Sequence, residues 1–225
     1  MNIEDKKVAF TLAEVLITLG IIGIVAAMTL PALITKYQKQ VTVNRLKHAY
    51  SVLSQAVKLS EVYNGPIDNW DFPEERNTDA AEVWLKKNIC PYMKYSDIIN
   101  PSTLVANNQS VDIKLTNGTV LSFWFNTAER FHVFIFLNPN KPTQSGKNYF
   151  AFYAGKSQGY GPNNVLGSNM IVRPYDFSND AGVDNTRAFW KDDVNRGCNR
   201  NNDNKGLCAG LIMYDGWEIK DDYPW

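Results

Sequence analysis

Only two histidines, His48 and His132, occur in the 225 residues, and neither belongs to an HExxH run or another spacing that would hold a metal ion. A phosphate-binding GxxxxGK[ST] loop is missing as well. Without such constellations the chain reads as a non-enzyme, with no cofactor and no metal site expected. Charge of one sign is also lacking in excess: lysine plus arginine and aspartate plus glutamate number 23 each. No global field therefore favours nucleic acid. Cysteine is scarce, with Cys90 alone beside Pro91 and Cys198 close to Cys208 in a polar stretch. In an exported chain such a local pair suggests a disulfide, whereas in the cytosol it would more often be reduced or metal-binding.

What is abundant is apolar sequence at one end. From Phe10 to Leu30 the residues read FTLAEVLITLGIIGIVAAMTL, about the 20 apolar residues that span a bilayer as a helix. Lys6 and Lys7 precede this run, so the positive-inside tendency places residues 1–9 in the cytoplasm and the chain after Leu30 outside. Glu14 is its only charge, and a carboxylate there costs about 2.5–3.5 kcal/mol on insertion scales. A disposable secretory signal, cut after Val25-Ala26-Ala27, has no use for such a residue. The helical pattern also continues beyond that cut through Leu30, Ile34, Tyr37 and Val41, then Leu46, Ala49/Tyr50, Leu53 and Ala56/Val57. One helix of about 80 Å from Phe10 to Val62 follows at 1.5 Å per residue. Pro31 is expected to kink or locally melt it, and Asn64-Gly65-Pro66 to stop it.

The run Lys6-Lys7-Val8-Ala9-Phe10-Thr11-Leu12-Ala13-Glu14 resembles the prepilin-peptidase site of type IV pilins and type II secretion pseudopilins. The resemblance implies cleavage between Ala9 and Phe10, N-methylation of Phe10, and a role for Glu14 in filament assembly as counter-charge to the α-amine of Phe10 on the same or a neighbouring subunit. Pro31 falls at that family's helix-breaking proline. Ala9 departs from the family, which prefers glycine there, so slower cleavage is expected. The implied partners are prepilin peptidase, other pilin or pseudopilin subunits and an inner-membrane assembly platform. The implied location is the bacterial inner membrane, then an extracytoplasmic filament.

Beyond the helix the sequence reads as a β-rich outer domain over 64–225. Glu82 to Lys87 is expected to form a short helix ending near Pro91. Val111 to Phe125 holds two alternating strands around Asn117-Gly118, a pair suited to a turn with positive φ at both positions. Phe131–Leu137 and Tyr149–Tyr153 would extend these to a four-stranded antiparallel sheet. The stripe from Leu46 to Val57 needs a partner, and the sheet provides one, giving an α+β, pilin-like fold. Leu211 to Lys220 reads as a further hairpin turning at Asp215-Gly216. Asn199, Asn201 and Asp203 alternate like calcium ligands, but with one acid and Gly210 at the twelfth position they read as a solvated turn. A Cys198–Cys208 bridge is expected, resembling the C-terminal loop of many pilins, with Cys90 a buried free thiol. Trp217, Tyr223 and Trp225 read as a C-terminal aromatic core rather than a sugar platform. The competing functional class is an anchored or exported adhesin or glycan-binding protein.

Overall fold

A computed structural model describes residues 11–73, 77–105, 109–127, 130–156, 171–175 and 186–225. Helix α1 runs over Leu12–Asn64, and the chain divides into two compact units, one through Val41 and another from Thr42. From Leu12 to Ile34 the helix is apolar on nearly all sides and exposed, with Leu12 77% and Met28 76% accessible. Pro31 lies inside α1, which continues through it without melting. The missing N–H leaves the Ala27 carbonyl without its usual helical donor. Thr18, Thr29 and Thr35 turn their hydroxyls back on Glu14, Val25 and Pro31 carbonyls at 2.9 Å, which keeps those donors satisfied inside an apolar segment.

In the second unit α1 becomes amphipathic. Val43, Leu46, Ala49, Leu53, Ala56, Val57 and Ser60 are buried at the three-and-four spacing of one helix face. This stripe is the one the sequence marks out. It joins the core with a six-stranded antiparallel sheet ordered β1-β2-β3-β4-β5-β6, comprising Tyr95–Ile99, Ser110–Leu115, Val120–Thr127, Arg130–Phe136, Tyr149–Gly155 and Val172–Pro174. The architecture is thus α+β, a long N-terminal helix on an antiparallel sheet. Alternation puts Val111, Ile113, Leu121, Phe123, Phe131, Val133, Phe150 and Phe152 in the core. Tyr50 fastens helix to sheet, its ring 5.5 Å from Phe152 and its hydroxyl donating to the Val172 carbonyl at 3.3 Å.

Three expectations need correction. The sheet has six strands, not four, because β1 and β6 flank the predicted set. β1 is half-exposed and bulged between Tyr95 and Asp97, and β6 has three residues, so neither carries a readable alternation. The β2–β3 turn is a type I turn closed by Gly118 N–H donating to Leu115 O at 3.0 Å, and only Gly118 has positive φ. That is the three-residue bulged loop rather than the two-residue turn expected at Asn117-Gly118. The third concerns Leu211–Lys220, which is not a hairpin: α4 occupies Cys208–Tyr214. Gly216 N–H donates to Met213 O and Trp217 N–H to Ile212 O, at 3.1 and 2.8 Å, with Gly216 at φ +76°. This is a Schellman cap. Asp215-Gly216 supplies the left-handed residue that a hairpin also requires, while burial of Leu211 and Ile212 on adjacent positions decides for the helix.

Helix α2 spans Thr78–Asn88, longer than the expected Glu82–Lys87, because Asn77 caps it by accepting from Ala80 N at 2.9 Å. Helix α3 spans Arg187–Asp192, capped by Thr186.

Candidate functional site

The candidate site is the start of α1. With α1 beginning at Leu12, Thr11 is its N-cap and Glu14 its third residue. Glu14 Oε2 accepts from the Thr11 N–H and from the Thr11 hydroxyl, both at 2.8 Å, and Thr11 Oγ1 accepts from the Glu14 N–H at 3.2 Å. This reciprocal arrangement is a capping box, which Thr11-Leu12-Ala13-Glu14 spells out but which a reading of Glu14 as a charge alone passes over. The carboxylate thus has a local partner within its own chain and also complements the positive end of the helix dipole. Cleavage at Ala9–Phe10 and methylation of Phe10 fall outside the described residues.

From Val15 to Ile34 the helix carries no charged residue. From Leu12 to Ile34 is about 35 Å at 1.5 Å per residue, enough for a bilayer core of about 30 Å. One helix of the described residues is long and apolar enough to cross a membrane, and its apolar window has 0% buried inside the fold. Lys36, Lys39, Arg45 and Lys47 follow the span, against Lys6 and Lys7 before it. A count of basic residues therefore does not orient the segment.

The far end of the chain is tied down by covalent and ionic contacts. Cys198 and Cys208 form a disulfide, Cα to Cα 4.7 Å, and both are buried. Gly146, at φ +80°, covers it: a Cβ there would sit 2.7 Å from Cys208 Sγ. Cys90 is free and buried, and burial pushes its thiol up to about 11, which makes it unreactive at neutral pH. Arg187 grips two carboxylates, Asp215 at 2.7 and 2.9 Å and Asp222 at 2.8 Å twice. Lys191 joins Asp222 at 2.8 Å and Lys220 joins Asp215 at 2.9 Å. Hydrogen bonds from Arg187, then Lys191, hold the Asp222 carboxyl well below the usual range. Burial pushes Asp215 up, but Arg187 and Lys220 outweigh it and leave it lowered. Sequence reasoning missed this network because its members lie up to 35 residues apart.

The remaining polar and aromatic residues singled out in the sequence have structural roles. Trp217 lies 5.3 Å from Tyr50, Tyr223 donates its buried hydroxyl to Gly146 O, and Trp225 lies under Lys147 at 5.7 Å. Tyr223 lies in the hydrophobic core and Trp217 and Trp225 pack against it, the C-terminal aromatic core the sequence suggests. Asn199 donates to Lys191 O at 2.8 Å and accepts from Asn201 N at 2.9 Å, the bonding of an ordered polar turn. His48 is exposed, 3.2 Å from the Asn117 amide. His132 is buried among Trp124 and Tyr175 at 5.4 and 5.2 Å, and burial, then Arg130, lowers its pKa to about 4.

No curated protein and no solved structure matches this chain. One family model does, over residues 32–225, so its match begins just after Pro31 and takes in the whole sheet unit. By that match the chain belongs to a family of unknown function, DUF6613.

Proposed function

We propose that this chain is a structural filament subunit of the type IV pilin or type II secretion pseudopilin kind. In this reading prepilin peptidase cuts between Ala9 and Phe10, Phe10 is N-methylated, and the apolar part of α1 holds the subunit in the inner membrane. The N-terminus is cytoplasmic and the sheet unit lies outside, where an oxidising environment maintains the Cys198–Cys208 bridge. The assembly platform then transfers the apolar helix from lipid into the core of a filament among other subunits. Head-to-tail contacts that do not close into a ring produce such a polymer.

The observation that carries this reading is an apolar helical segment with no burial partner of its own, headed by the only carboxylate in the run. A soluble core helix would be buried along one face, as the second part of α1 is. Glu14 fits two stages of the cycle. In the stored subunit Thr11 satisfies its carboxylate; in the polymer the carboxylate faces the positive α-amine of a neighbouring Phe10, each charge relieving the other in a medium that solvates neither.

Mass spectrometry of the chain extracted from membranes of its native host tests the reading at its first step. A mature chain beginning with N-methylated Phe10 is expected. A chain beginning at Met28, or one that keeps residues 1–9 wherever prepilin peptidase is active, would overturn it.

A further inference from the structure

Beneath the turn that follows β1, four short polar side chains are shut away from water. Ser102, Ser110, Asp112 and Ser122 have no exposed surface. Asp112 alternates with Val111 and Ile113 and so lies on the sheet face turned away from the core they form. Ser122 stands opposite Asp112 in the β2–β3 register. Its hydroxyl is 3.1 Å from that of Ser110 and 3.4 Å from that of Ser102. The Ser102 hydroxyl in turn accepts from Leu104 N and Val105 N at 3.1 and 3.4 Å, and Ser102 N–H donates to Ser110 O at 2.7 Å. Residues 102–105 are therefore held to the sheet through this cluster.

The cluster contains a carboxyl group whose two oxygens have no well-directed hydrogen-bond donor among the described residues. Among the described residues, the groups facing it supply no counter-charge. Ser102 and Ser122 are neutral, and Phe134, which pairs with Ser122 from β4, is apolar. Lys114, the next residue on this face of β2, is exposed and pairs in register with Asp97 of β1. An ionised carboxylate enclosed without a cation or a full set of donors is strongly disfavoured, and such a group takes up a proton instead. Burial does push the Asp112 carboxyl above its ordinary value, with the Ser122 and Ser102 hydroxyls pulling it partly back.

We propose that Asp112 is a proton-operated latch: as a neutral acid it donates its own proton within the serine cluster and pins the 102–105 turn to the sheet, and loss of that proton releases the turn. The sign follows from linkage. The folded group keeps its proton above the ordinary carboxylate range, so its contribution is complete at low pH and is lost as pH rises through the folded value. The consequence extends to α2, because Asn100, just before the turn, donates its amide to Thr78 O, Asp79 and Glu82 at 3.2, 3.1 and 2.8 Å. Release of the turn would loosen that tie. This latch is independent of the filament reading.

The test uses the full chain in detergent, between about pH 5 and about pH 9, a span that covers buried carboxyls with raised pKa. Infrared difference spectra between wild type and Asp112→Asn should show a protonated-carboxyl stretch that the variant lacks. Amide exchange of residues 102–105, referenced to amides of β4, should accelerate by about tenfold per pH unit above the transition in wild type. It should stay flat in Asp112→Asn. Ser122→Ala, which removes a hydroxyl that favours the charged form, should move the release to higher pH and serves equally if Asp112→Asn folds poorly. Absence of the protonated-carboxyl band, pH-independent exchange in wild type, or exchange that responds to added sodium or calcium instead of pH would each overturn the proposal.

Discussion

Two stretches of one helix meet opposite fates. Between Leu12 and Ile34 almost every side chain is apolar and exposed, whereas between Val43 and Ser60 apolar residues are confined to one stripe that is buried. The second stretch has the pattern of a helix that folds against a sheet in water. In the first, an apolar surface on all sides has no use inside a single domain and calls for lipid or for copies of itself. Intrinsic propensity favours the second stretch, since Gly20, Gly23 and Pro31 all lie in the first, yet both are helical. What sets their fates is where the polar residues stand, and that alone separates the part that stabilises the fold from the part available to a partner.

The largest expected effect comes from cutting between the two. A chain started near Gln40 should lose membrane attachment completely, remain monomeric and keep its fold, checked by fractionation, ultracentrifugation and circular dichroism. Filaments of this shortened chain would place polymerisation in the sheet unit and dissolve the comparison. Single substitutions sharpen it. Leu53→Ala, in the centre of the buried stripe, should cost about 2–5 kcal/mol of unfolding free energy. Leu19→Ala, 60% exposed in the wild-type residue, should leave the denaturant midpoint of the sheet unit unchanged.

Removal of the Cys198–Cys208 bridge by a double serine substitution should destabilise the sheet unit by about 2–3 kcal/mol, the loop-closure value for a short loop, and leave membrane attachment intact. An effect of similar size, on the order of 3 kcal/mol, is expected from His132 in acid. Its folded pKa of about 4 lies below the ordinary histidine value of 6.5, so the unfolded chain binds the proton first and stability is lost as pH falls through that window. His132→Gln should flatten the loss between those values in denaturation curves, while stability at neutral pH changes little through this route.

These regions are not equally legible in the sequence. The long helix, its stripe and the four central strands show there because each repeats a period over many residues. β1 and β6 are too short or too exposed for that. Asp215-Gly216 shows that the same left-handed requirement serves a hairpin or a helix cap, and only burial of Leu211 and Ile212 separates the two. The grip of Arg187 on Asp215 and Asp222, and the enclosure of Asp112 by three serines, join residues distant in sequence. No local pattern records them. The capping box at Thr11 and Glu14 is legible in principle, since Thr-x-x-Glu is its signature.

That box also makes Glu14 the position at which a filament role is most directly tested. Glutamine can replace glutamate in a capping box, so Glu14→Gln keeps the cap and removes the charge, while Glu14→Val removes both. Either substitution should change the stability of the isolated chain by no more than about 1 kcal/mol. In the native host, protein in sheared or secreted filaments would be measured against processed protein in the membrane for wild type and both variants. A charge pair with a neighbouring Phe10 amine predicts that both variants are cleaved and inserted normally yet are strongly depleted from filaments. Normal incorporation of Glu14→Gln with loss of Glu14→Val would reduce Glu14 to a helix cap, and normal incorporation of both would contradict a role for this residue in assembly.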